Sequence, residues 1–499
     1  MRPPDLRRDD TLTAVLNNSV PQSGRHPADA FRQWRVRTLA VAVAFACLFT
    51  TTRTCTGTAA QEKWVASWAA AQHGPYPSGN AAAGPNLRFA FPDPVAGAHD
   101  QTFRLIVKPD LWGNRIRLRF SNVYGDRPLG LDQVFIGIQA SGGHVVAGTN
   151  RRVSFDHGAM ATTIAPGARA FSDSVELDYV KRGDSPWPSG GNLAVSFHVG
   201  GSSGRMTWHS SAFRTSFLSA PKSGAHGAEY DDRAFPFTTT SWFFLDAVDV
   251  MAPQDTIVVA ALGDSITNGS DSTLNGDDRW SNALSSRLHA ALGSRVSVVN
   301  LGIGGNQVVG PSTYDVSKPY FGGPSALHRL DRDILSLSGL TTVIWLEGVN
   351  DLAQPGNLMG GLPSDAPQAV PPTPPEDVIA GLREGVKRLK SRGITVIGGT
   401  LTPTKGAQGV YGSAQLEASR QTVNQFIRTS GIYDGIVDFE AATMDPATGM
   451  FRAEFQPSST AGGPGDRIHP NRAGYQAMAL AIDVRLIAPR ARQRTQGGR

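Results

Sequence analysis

The sequence predicts two unlike architectures in series. An all-β sandwich of jelly-roll type is expected over residues 61–252, then an α/β region over residues 253–487 built on a mostly parallel, doubly wound sheet. Up to about residue 250, short runs alternate apolar and polar positions with period two, separated by Gly, Pro, Asn and Asp. Beyond Val250-Met251-Ala252-Pro253, apolar runs alternate with helix-period segments, the pattern of βαβ units. Composition agrees with both: 55 glycines and 33 prolines against 18% charged residues describe a loop-rich globular chain, and 499 residues exceed one ordinary core.

Residues 1–60 stand apart. Arg32, Arg35 and Arg37 precede an apolar stretch at 39–49, and the small residues Gly57-Thr58-Ala59-Ala60 follow, which reads as a secretory signal cleaved near Ala59 or Ala60. The stretch is short for a membrane span, so no stable membrane insertion is expected after cleavage and the protein is placed outside the cytoplasm, extracellular or periplasmic. An uncleaved N-terminal anchor is the alternative. Both cysteines, Cys47 and Cys55, fall in the segment to be removed, which leaves no disulfide, thiolate metal site or cysteine nucleophile. Residues 1–60 hold eight arginines against four aspartates, and the tail at 488–499, expected to be disordered, holds four arginines and no acid. Since the whole chain carries +5, the body between them is slightly acidic and no nucleic-acid partner is expected.

Within the β region, Arg115-Ile116-Arg117-Leu118-Arg119-Phe120 is the clearest alternation, with arginines on one face and apolar residues on the other. Shorter strand-like runs occupy 102–107, 133–138, 174–179, 193–199 and 242–250. Trp112, Tyr124, Trp187 and Trp208 would suit a sugar-stacking platform, but aromatic residues more often fill a sandwich core, and that is the expectation.

In the α/β region the expected strands are 256–262, 296–301, 342–346, 394–400 and 435–439, and the expected helices 280–292, 324–335, 375–391, 413–430 and 471–485. Ligands of such sheets bind beyond the C-terminal ends of the strands. The polar signals fall there. Ser265 follows the first strand in Gly263-Asp264-Ser265, where Gly263 permits a sharp turn; an ordinary turn or helix cap is the plain alternative. The second strand runs into Asn300-Leu301-Gly302-Ile303-Gly304-Gly305-Asn306, whose glycines let backbone approach a ligand. After the third strand, Glu347-Gly348-Val349-Asn350-Asp351 offers a carboxamide able to donate to an oxyanion without charge, or simply a turn. Asp466 and His469 lie three residues apart before the last helix, a spacing that brings a carboxylate to one imidazole nitrogen and leaves the other free for Ser265. Pro470 keeps His469 out of helical backbone angles.

These segments, in this order, resemble the SGNH/GDSL hydrolase superfamily, whose blocks match as Ser265, the glycine of the second loop, Asn350 and His469 across residues 255–487. The β region, through Trp64-Val65-Ala66-Ser67-Trp68 and Trp242-Phe243-Phe244-Leu245, is similar to the β-domain ahead of such catalytic domains in certain secreted bacterial esterases. The resemblance implies a flavodoxin-like three-layer α/β/α domain and a serine esterase with a Ser265–His469–Asp466 triad. Its oxyanion hole would comprise the amides of Ser265 and Gly305 (or the neighbouring Gly304) and the Asn350 side chain. Asp264 either competes with Asp466 for the imidazole or, as its position favours, braces the loop; Asp351 supports its neighbour, and Arg279 and Trp280 brace the nucleophile loop. No cofactor or metal is implied. Neither 352–375 nor 402–411, the expected substrate walls, holds a long apolar run, so the expected substrates are short-chain acyl esters, foremost O-acetyl groups on small or polymeric carbohydrate. A lipase or phospholipase, an acyltransferase using the same residues, and a non-catalytic carbohydrate-binding protein are the alternatives.

Overall fold

The structure, a computed structural model, describes residues 61–79, 85–180, 191–310, 314–317, 319–353 and 372–487. The expected signal segment, Trp187, most of the 352–375 wall and the basic tail lie outside the described residues.

Two large antiparallel sheets, with a third of three short strands (Trp242–Phe243, Thr207–His209 and Gly74–Pro75), make the N-terminal region. In one, Glu62–Ala69, Leu245–Pro253, Arg115–Ser121 and Arg169–Phe171 lie in that order. The other runs Phe237–Thr239, Ser216–Leu218, His99–Val107, Leu193–Ser202, Leu129–Ile138 and Arg151–Arg152. Phe120 of the first sheet meets Phe197 of the second edge to face with ring centroids 5.2 Å apart, and Phe197 stacks on Phe103 at the same distance. The apolar face of the alternating strand thus closes a sandwich core. Trp112, Tyr124 and Trp208 are buried within this region: the Trp208 N–H donates to the Ser78 carbonyl at 2.8 Å and the Tyr124 hydroxyl to that of Gln72 at 3.2 Å. The run at 174–179 yields only Val175–Glu176 opposite Arg115 and Ile116; Leu177 N–H still donates to the Asn114 carbonyl, and the chain then turns as Val180 N–H bonds back to the Leu177 carbonyl.

Successive strand residues face opposite ways, so the arginines of Arg115–Ser121 point away from the sandwich core. Two of them meet the α/β region instead of water. Arg117 pairs with Asp249 at 2.8 Å and donates to Ser338 Oγ at 3.1 Å. Arg119, buried, pairs with Asp246 at 2.6 Å and donates to the Ser336 carbonyl at 3.0 Å. Alongside them, Ala66 N–H donates to Ser338 O and Ser297 Oγ to Ala66 O. The described residues after Thr58 accordingly form one compact unit.

The α/β region is a five-stranded parallel sheet of β1 (Ile257–Gly263), β2 (Val296–Gly302), β3 (Leu340–Leu346), β4 (Thr395–Gly399) and β5 (Gly435–Val437), in the order β2-β1-β3-β4-β5. Strand β1 is buried along its whole length, as its unbroken apolar sequence requires at the sheet centre. Helices α1 (Trp280–Leu292) and α4 (Arg472–Ala481) pack together, as do α2 (Pro375–Lys390) and α3 (Ala414–Thr429), giving the three-layer flavodoxin-like arrangement. In α2 the buried Val378, Leu382, Val386 and Leu389 recur at helical spacing, with Glu376 and Asp377 in the first turn and Lys387, Arg388 and Lys390 in the last, matching the helix dipole. The 324–335 helix appears as a short turn, Ala326–Arg329, continued by a π turn, Leu330–Leu335. The fifth strand stops at Val437, because the Asp438 side chain caps a helical turn, Phe439–Thr443, by accepting from Ala441 N–H. The reversal of strand order falls between β1 and β3, so the crevice opens at their C-terminal ends. No helix among the described residues is long and apolar enough to cross a membrane.

Arg119, paired with Asp246 of its own sheet, ties the two regions through the Ser336 carbonyl where water is excluded, and removing one partner of a buried pair costs about 3–5 kcal/mol. Arg119→Met is expected to lower the thermal unfolding midpoint clearly. Arg115→Met, whose guanidinium only lies 5.9 Å from the Trp64 ring centre, should change it little; calorimetry on both variants checks this.

Candidate active site

The serine is delivered by the end of β1. Asp264 leaves the strand in an extended conformation and its side chain accepts from Ile266 N–H at 3.0 Å, starting a single helical turn, Ser265–Asn268. The turn closes at Gly269 with φ 106°, so the left-handed residue is Gly269 and Gly263 remains a strand residue. A Cβ on Gly302 would lie 2.2 Å from the Asn268 amide nitrogen, so only glycine lets the end of β2 pass so close beneath this turn. Ser265 N–H sits at the N-terminal end of the turn, where amides lack intrahelical acceptors.

The histidine arrives from the other side of the crevice. Asp466 Oδ1 accepts from both Ile468 N–H and His469 N–H at 2.9 Å, folding the four residues into a tight loop with Arg467 at φ 63°. That loop aims the imidazole. His469 Nδ1 lies 2.5 Å from Asp466 Oδ2, and Nε2 lies 2.7 Å from Ser265 Oγ. A carboxylate on Nδ1 fixes the tautomer that leaves Nε2 free to accept the serine proton. Of the two candidate partners Asp466 therefore holds the imidazole, while Asp264 caps the nucleophile turn. Asp271, half-buried and held by Ser458 Oγ at 2.9 Å, brings a further carboxylate within 4.8 Å of the Asp466 and His469 ligand atoms. These three are the residues that could hold a cation here.

Opposite the serine lie the loops after β2 and β3. Gly305 has φ 79°, a left-handed angle that side chains disfavour, whereas the alternative Gly304 needs no such angle. Asn350 is buried; its Nδ2 donates to the Asn306 carbonyl at 3.0 Å, and its Oδ1 accepts from the Tyr411 hydroxyl. Asp351 accepts from Val308 N–H at 2.8 Å and Val309 N–H at 3.0 Å, fastening one loop to the other. Arg279 packs against Gly269 at the end of the nucleophile turn, and Trp280, fully buried, lies 5.7 Å from the Phe439 ring.

Sequence reasoning missed the connecting residue. Arg329, fully buried, donates to the Gly263 carbonyl at 3.1 Å, to the Leu301 carbonyl at 2.8 Å and to Asn306 Oδ1 at 2.8 Å. Asp333 lies 3.5 Å and Glu347 3.9 Å from it. A signal was available: Arg329 and Asp333 sit at i and i+4 beside Ala326, Leu330 and Ile334, charges on what must be the buried face of that segment. Asp271 and Tyr411 carry no comparable local signal.

Burial pushes the carboxyls of Asp264 and Asp351 up to about 7, the Glu347 charge adding to both, and raises Glu347 itself. Asp466 goes the other way. Its burial would raise it, but the facing His469 and the hydrogen bonds it receives hold it well below the usual carboxylate range.

Residues 261–477 match the model of the GDSL-like lipase/acylhydrolase family, a match that supports a serine ester hydrolase. In structure the chain is similar to a member of the lipolytic protein G-D-S-L family from Veillonella parvula DSM 2008, at 19% identity over 45% of this chain and 96% of that one, TM-score 0.30. It is likewise similar to a catalytic mutant of an acetylxylan esterase from Geobacillus stearothermophilus, at 21% identity over 46% and 94%, TM-score 0.31. A GDSL-like lipase from Bacteroides thetaiotaomicron VPI-5482 aligns at 14% identity over 47% and 88%, TM-score 0.31. No curated protein matches the chain.

The imidazole must be neutral to accept a proton from Ser265. Burial of His469 opposes its charged form, but Asp466, and beyond it Asp271 and Asp264, outweigh this and lift its pKa above the ordinary 6.5. With His469 as the base for Ser265, activity would be lost as pH falls through that raised value, and the acid limb of kcat/KM is expected above 6.5. Asp271→Asn removes one supporting charge and should move the limb to lower pH, as pH–rate profiles of both forms would reveal.

Proposed function

We propose that the protein is a secreted carboxylic-ester hydrolase for short acyl esters, with O-acetyl groups on carbohydrate as the leading substrate class, and that Ser265, His469 and Asp466 carry the chemistry. The reading rests on the unbroken relay of 2.7 Å from Ser265 Oγ to His469 Nε2 and 2.5 Å from Nδ1 to Asp466. Ser265 Oγ attacks the ester carbonyl as its proton passes to Nε2, and Asp466 stabilises the imidazolium that forms. The carbonyl oxygen becomes an oxyanion. The amides of Ser265 and Gly305 and the second N–H of Asn350 Nδ2 are assigned to receive it. His469 then gives its proton to the departing alcohol, and in a second half-reaction activates water to release the acid and restore Ser265 Oγ–H.

Short acyl groups are favoured by the two expected walls, 352–375 and 402–411, neither of which carries an apolar run long enough to sheathe a fatty chain. Phe321 adds to this, since a Cβ on Gly305 would already come within 3.3 Å of its ring. Carbohydrate as the alcohol component, and export from the cell, are supported by the arginine-led apolar leader and by the β region joined to the hydrolase domain.

Hydrolysis of p-nitrophenyl acetate, butyrate and octanoate tests this. The rates are expected to fall in that order, to be indifferent to EDTA, and to drop by a thousandfold or more in Ser265→Ala. Undiminished turnover by that variant would overturn the assignment, and a preference for octanoate would move the substrate to lipid. Asn350→Ala separates catalysis from binding: kcat is expected to fall about a hundredfold to a thousandfold with KM little changed, because the lost donor acts on the oxyanion.

A further inference from the structure

A cleft of about 600 Å³ opens between the β region and the α/β region, and neither Ser265 nor His469 borders it. Its size suits one small organic ligand. Three tryptophans line it, Trp68, Trp112 and Trp242, together with charged side chains from both regions. Most of those charges are already satisfied. Asp110 accepts from Ser285 Oγ, from Val298 N–H at 2.6 Å and from His289 Nε2 at 3.1 Å. Asp277 is held by Lys108 at 3.1 Å and by Arg214.

Arg279 is the exception. Among the described residues no carboxylate pairs with it; its Nη2 donates to the Ala212 carbonyl, and its guanidinium lies 5.7 Å from the Phe213 ring centre. Desolvation, with the Arg214 charge, drags its pKa down to about 10 against the opposing pull of the more distant Asp277 and Asp278 carboxylates. Two further atoms on this wall lack partners. Trp112, 5% exposed, keeps its indole N–H buried with no acceptor, and Asn282 Oδ1 is buried with no donor. A guanidinium without a carboxylate and an idle N–H call for an acceptor-rich anion, while an idle carboxamide oxygen calls for a hydroxyl.

We propose that this cleft is a second ligand site, separate from the ester-cleaving centre, which binds an acidic sugar with its carboxylate on Arg279 and its hydroxyls toward Trp112 and Asn282. Nothing in the esterase reading is needed for it, and the same binding is expected in Ser265→Ala.

The full chain is titrated calorimetrically with D-glucuronate, with D-glucose and acetate as the neutral-sugar and bare-carboxylate controls. Glucuronate is expected to bind at least tenfold more tightly than either. Trp112→Phe keeps a six-membered aromatic ring but removes the N–H together with the rest of the indole's five-membered ring, and should weaken binding about tenfold while leaving ester hydrolysis unchanged. Arg279→Gln should abolish it. If that variant fails to fold by thermal melting, Trp112→Phe decides alone. Equal affinity for glucose and glucuronate, no heat with glucuronate at millimolar concentration, or undiminished affinity in Trp112→Phe would each overturn the proposal.

Discussion

The buried guanidinium of Arg329 is the constraint on which the site depends. Its planar fork presents five donors, and three of their acceptors belong to different pieces of the crevice: the end of β1, the end of β2 and the Asn306 side chain. Asn306 in turn offers its carbonyl to Asn350, so the loop after β3 is set by the same residue at one remove. A lysine has a single point of charge and cannot reach all three. Asp333 and Glu347 supply the counter-charge that lets such a group stay dry.

Around that cation the acids are sorted by environment. Asp264, Glu347 and Asp351 are enclosed, and burial favours their neutral forms, which suits groups that brace loops with hydrogen bonds. Asp466 is half-exposed and wrapped in donors, which keeps it ionised, as the partner of an imidazolium must be. One site thus holds acids of both kinds, and the contrast is produced by solvent access and by the charge of the facing His469.

The parts of this arrangement legible in the sequence were those with a period or a local spacing. The apolar run of β1 read as a strand because an unbroken apolar sequence needs cover on both faces, and the Asp466-to-His469 spacing was legible because its hydrogen bonds are contained in four residues. Arg329 was not read, since its acceptors are 66 and 28 residues away and no local pattern encodes them. Helix ends slipped for a related reason: the π turn at Leu330–Leu335 follows Arg329, whose guanidinium is anchored to the strand ends. The arginine face of Arg115–Ser121 was seen as a stripe, but its destination against Ser336 and Ser338 is a tertiary fact.

The nucleophile turn leans outward onto the β region. Asn268, its last residue, donates to the Ser211 carbonyl at 3.1 Å and lies 3.0 Å from the His209 ring, and Arg279, packed on Gly269, reaches Ala212. The two halves therefore cannot drift independently over evolutionary time. A substitution near residue 210 would loosen the turn that carries Ser265, and an α/β region grafted beneath a foreign β region would inherit that turn without its buttress.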